Sequence, residues 1–118
     1  MTDKSNSGRF VIVISGNKLG RGNDELGTVL MKAFLHTVAG QAKKPDVMIF
    51  YNTGVKLTVQ GSDVLEDLKQ LENNGIQILV CGTCLNYFEI KDKLATGMVS
   101  NMYDIVETMS NAGRLLTP

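Results

Sequence analysis

Three short runs of the chain are almost entirely apolar: FVIVI at residues 10–14, VMIFY at 47–51 and IQILVC at 76–81. A strand with one wet face alternates polar and apolar side chains, and these runs do not alternate. Each therefore predicts a strand buried on both faces, the pattern of a parallel sheet covered by helices. Parallel neighbours cannot be joined by a tight turn, so helical crossovers are required between them.

The intervening segments supply those crossovers. Over residues 24–39, Leu26, Val29, Leu30, Ala33, Phe34 and Val38 recur at helical spacing, with Met31 and Leu35 widening the stripe. A stripe this broad suits burial against a partner subunit as well as against a sheet. Asn23 or Asp24 can cap its start, and Asp24 and Glu25 suit the positive end of the helix dipole. A second helix is predicted over 62–74, on Val64, Leu65, Leu68 and Leu71, with Ser62 as its cap and Gly75 just past its end. Residues 85–94 predict a short helix or two turns, and 97–99 a short fourth strand. A last helix begins at the cap Asn101, with Met102, Ile105, Val106 and Met109 on one face, and a final strand covers 114–117. The order βαβαβαβαβ predicts an α/β fold: three layers, α/β/α, around a mostly parallel sheet of about five strands. Residues 1–8 are small and polar and are expected to be a disordered tail or linker remnant, leaving 9–118 as one domain.

In such a sheet the crevice beyond the carboxyl ends of the strands is where loops and helix starts converge. The unusual residues fall there: SGNKLGRGNDELG after the first strand, NTGVK after the second, CGTC after the third, and Ser100 and Asn101 after the fourth. Gly20 and Gly22 match neither strict phosphate-binding pattern, so they read chiefly as loop glycines, with Lys18 and Arg21 bringing positive charge nearby. Cys81 is expected at its strand end and Cys84 in the first turn of the next helix, where backbone amides favour a thiolate and lower a thiol pKa. Gly82 and Thr83 leave little bulk over the sulfurs. Asn52 and Lys56 belong to the neighbouring loop, and Lys56 would help ionise a thiol if the loops meet. Tyr87 and Phe88 either shield the sulfurs or fill the core under the short helix, the second being favoured, and Tyr103 and the last helix's methionines read as packing residues.

Twelve basic and twelve acidic residues cancel, which argues against nucleic acid or an anionic membrane as partner. The chain has no long apolar span and MTDKSNSG lacks the apolar core of a secretory signal, so a cytoplasmic location is expected, with reduced thiols. Two cysteines and the single His36 fall short of the four ligands of a structural zinc site within one chain, and no cofactor is expected. Pro45 precedes the second strand and Pro118 ends the chain, so neither supplies the proline that faces the cysteines in thioredoxins.

Three blocks, GRGNDELGTVLMKAFL, FYNTGVKLTVQGSDVLEDLKQLENNGIQILVCGTCLNYF and KLATGMVSNMYDIVETM, resemble the C-terminal DsrE-like domain of sulfurtransferase-like selenium metabolism proteins of the YedF type. The resemblance runs over residues 10–116. It implies a DsrE-like fold and a sulfur (or selenium) carrier working through a cysteine persulfide, with Cys81 at the matching strand end and Cys84 completing the Cys-Gly-x-Cys form. It also implies homo-oligomers, and sulfur donor or acceptor proteins such as a TusA-like carrier. The alternatives are a dithiol-disulfide switch and a noncatalytic binding module.

Overall fold

All five strands run the same way, so every strand-to-helix loop opens at one edge. The computed structural model describes residues 8–118, and the expected tail lies outside them except for Gly8. The strands are β1 (Phe10–Ile14), β2 (Val47–Phe50), β3 (Gln77–Cys81), β4 (Met98–Ser100) and β5 (Arg114–Leu116), in the spatial order β4-β3-β2-β1-β5. The helices are α1 (Asp24–Gly40), α2 (Leu65–Asn73), α3 (Gly82–Tyr87) and α4 (Met102–Ser110), with 3-10 turns at Asn52–Thr58 and Lys91–Lys93. Crossovers of the usual right hand carry the helices between β1, β2 and β3 to a common face, and α1 and α2 do pack together. The return from β4 across the sheet to β5 carries α4 to the other. The predicted α/β architecture is the one formed.

The uninterrupted runs are the centre of the sheet. Val47, Met48, Ile49 and Phe50 have no solvent exposure, and Val11, Ile12, Val13 and Ile14 have almost none. Removing one such large side chain from water contributes about 1.5–3 kcal/mol. The edge strands are only three residues long, and Met98, Val99, Leu115 and Leu116 are exposed.

Helix boundaries follow local chemistry. The Asn23 side chain accepts a hydrogen bond from the Leu26 amide at 2.8 Å and starts α1. Of the expected stripe, Met31 and Leu35 are buried, with Gly27 and Ala39, and Phe34 and Val38 pack beside them, while Leu26, Val29 and Leu30 face solvent. Both stripes have helical spacing, so periodicity cannot choose between them. The four-residue interval of the buried set lies more nearly along the helix axis. Helix α2 starts at Leu65 rather than Ser62, because the Ser62 hydroxyl accepts from the Val64 amide at 3.2 Å and closes a turn before the helix. It ends in a Schellman motif: Gly75 donates to Glu72 and Ile76 to Leu71. The helix predicted over 85–94 instead begins at Gly82 and stops at Tyr87, and Glu89 then takes a positive φ. Helix α4 is capped by Asn101, whose side-chain oxygen accepts from the Asp104 amide at 2.8 Å. Ile105 fills the core beneath it, but Met102, Tyr103 and Val106 are exposed and are not the packing residues expected.

Candidate functional site

The carboxyl edge is stitched together by backbone groups. Tyr51 donates its amide to the Ile14 carbonyl, and Asn17 donates its amide to the Thr53 hydroxyl at 3.2 Å, which joins the first two loops. The third loop is joined through sulfur: the Asn52 amide donates to Cys84 Sγ at 3.1 Å. Asn52 aims that amide from the left-handed region, φ +53°, and its own side-chain oxygen accepts from the Thr53 amide. Asparagine tolerates this conformation better than most residues.

The two thiols occupy different surroundings. Cys81 ends β3, paired in register with Ser100 of β4, and is 2% exposed. Cys84 stands in the first turn of α3, half-buried, and is the thiol that lines a cavity of about 430 Å³ with Asn52, Thr83, Tyr87 and Phe88. Gly82 lets the helix start this close to the edge strand, since a Cβ there would come within 2.9 Å of a Val99 methyl and 3.2 Å of the Ser100 carbonyl. Both thiols are free.

Burial pushes the Cys84 thiol above its ordinary range, and the neighbouring Cys81 thiol pushes it further, while the Asn52 amide acts in the opposite direction. The expected lowering at the helix start does not occur at Cys84. A six-residue helix has few aligned peptides to favour a thiolate, and burial of the sulfur is the largest cause acting on it.

Lys56 does reach the neighbourhood, yet its ammonium lies 4.5 Å from the centroid of the Phe88 ring, and its charge is not among the causes acting on Cys84. Lys18, Gly20, Arg21 and Gly22 do not line the cavity. Gly20 and Gly22 have φ of +84° and +119°, so the loop needs glycine for its path. Asn101 is committed to capping α4. Tyr87 and Phe88 form a wall beside Cys84: Phe88 also packs against the core, as expected, but Tyr87 is 81% exposed and meets Phe88 edge to face, with ring centroids 5.2 Å apart. Their positions three and four residues after Cys84 place them on its side of the helix, a spacing visible in the sequence. His36 pairs with Asp67 at 3.1 Å on the outside of the helical layer. Among the described residues no group of three or more side chains could hold a metal ion, and no helix is long and apolar enough to cross a membrane.

The profile of the DsrE/DsrF-like family matches residues 9–118. Similar solved structures include the E. coli ychN protein (TM-score 0.70, 13% identity, covering 93% of this chain and 99% of that one). Another is MTH1491 of Methanobacterium thermoautotrophicum, titled a protein of unknown function (TM-score 0.66, 20% identity, coverage 94% and 99%). A third is the conserved protein of unknown function BT1422 of Bacteroides thetaiotaomicron (TM-score 0.60, 16% identity, coverage 92% and 94%). At these identities the likeness is one of fold. No curated protein matches the chain.

Proposed function

Because the chain belongs to the DsrE/DsrF-like family, a family associated with sulfur relay, we propose that it is a sulfur carrier in which Cys84 is the acceptor. The observation that carries this reading is the position of Cys84 Sγ: at the wall of an open cavity, with the Asn52 amide directed onto it. The Cys84 thiolate attacks the terminal sulfur of a donor persulfide, a new sulfur-sulfur bond forms, and the donor's own thiolate leaves. The reverse step, with an acceptor thiolate attacking the outer sulfur, delivers the cargo. The Asn52 amide stabilises the sulfur when it is anionic.

The YedF-type resemblance extends the reading to selenium as an alternative cargo and to a TusA-like protein as donor. The exposed Leu26, Val29 and Leu30 on α1 fit a homo-oligomer contact, and a reducing cytoplasm would keep both thiols free. The placement of Cys81 at the N-cap and Cys84 three residues on favours one competing function, a dithiol-disulfide switch that never carries added sulfur.

Intact mass of the reduced protein after treatment with glutathione persulfide tests the proposal. One added sulfur, reversible by dithiothreitol and absent in Cys84→Ser, is expected. Because the Cys84 pKa is raised, uptake should climb about tenfold per pH unit through neutrality rather than level off below pH 7. A loss of two hydrogens with no sulfur gained at any time would favour the switch.

A further inference from the structure

Cys81 is in the wrong place to receive sulfur from outside and in the right place to act on sulfur already received. It is sealed at the end of β3, beside β4, and only Cys84 lines the cavity. In the helix it begins, Cys81 is the N-cap and Cys84 is three residues on. Helix geometry sets such Cα atoms roughly 5 Å apart, a span a disulfide can bridge. The Cys81 thiol is also close enough to act, after burial, on the titration of the Cys84 thiol.

Resting on the carrier reading above, we infer that Cys81 is a resolving thiol: it attacks the inner sulfur of a Cys84 persulfide from the core side and expels undelivered sulfur as hydrogen sulfide. The terminal sulfur of a loaded Cys84 projects toward the cavity, where an external acceptor meets it. The inner sulfur keeps the place of Cys84 Sγ, against Cys81. Attack from outside therefore transfers the cargo, and attack from inside discards it.

In the inner reaction the Cys81 sulfur bonds to the Cys84 sulfur as the bond to the terminal sulfur breaks. The Cys81 proton and the bonding electron pair leave with that sulfur, so the persulfide and thiol become one disulfide and one hydrogen sulfide. The sulfane sulfur is reduced to sulfide and the cysteine pair is oxidised to the disulfide. An external dithiol then reopens the pair for another round. The carrier would thus hold its cargo for a limited time, with sulfide as the default product when no acceptor arrives.

The test loads the full chain with sodium tetrasulfide, removes excess reagent, and follows intact mass and released sulfide without reductant. Wild type is expected to lose the added sulfur, end two hydrogens lighter than the reduced protein, and release one sulfide per chain. Cys81→Ser should keep the sulfur about tenfold longer or more, and Cys81→Ala provides the same reading should serine disturb the core. Equal lifetimes in wild type and both Cys81 variants, or sulfide release without disulfide formation, would overturn the resolving role. If Cys81→Ser takes up no sulfur while Cys84→Ser does, the assignment of Cys84 as acceptor fails instead, and the resolving role with it.

Discussion

The centre of the sheet and its carboxyl edge are built on different principles, although they are separated by a residue or two. In β2 every side chain is sealed, and the structure depends on volume and hydrophobicity. Directly beyond it, at Asn52, the structure depends on one backbone conformation and on where a single amide points. The interior tolerates polar silence and demands packing, whereas the edge tolerates exposure and demands direction. Chemistry is possible at the edge because the interior holds the ends of the strands still.

That contrast can be broken from either side. Phe50→Ala, in the interior, should cost about 3–5 kcal/mol in denaturant unfolding, because the cavity cannot be refilled by neighbours from both faces. A cost below 1 kcal/mol would mean that the centre is looser than its burial indicates. Asn52→Val, at the edge, should cost about 1–2 kcal/mol by forcing a β-branched residue into the left-handed region, and should slow alkylation of Cys84. Asn52→Gly should restore both, since glycine accepts the conformation and retains the amide. The smallest effect belongs to Asn101→Ala: about 1 kcal/mol from the lost cap of α4, with Cys84 alkylation unchanged. A change in thiol reactivity there would place Asn101 back among the residues acting on the site.

The same contrast explains what could be read from the chain alone. The three central strands were legible because sealed strands leave an unbroken apolar run, as in FVIVI and VMIFY. The cap at Asn101 was legible because its chemistry is local. The phase of α1 was not, since Leu26, Val29 and Leu30 repeat as faithfully as Met31, Leu35 and Ala39, and only the sheet decides which set is covered. Nor was the balance at Cys84. The sequence displays a helix start that lowers a thiol pKa, but burial, which only the folded chain sets, raises it, and the neighbouring Cys81 thiol adds to the rise. Tyr87 was misread for a simpler reason: aromatic residues are usually core, and the short α3 ends too near the surface to bury it, whereas Phe88 does pack against the core.

The most direct test of the account is the location of the added sulfur. Wild-type protein exposed briefly to glutathione persulfide, trapped with an alkylating agent and mapped by tandem mass spectrometry separates the two thiols without any substitution. The account predicts the alkylated persulfide on Cys84, with Cys81 unmodified or joined to Cys84 as a disulfide at later times. A persulfide found first and chiefly on Cys81 would contradict it, and would mean that the sealed strand end opens to donors in a way the cavity beside Cys84 does not serve.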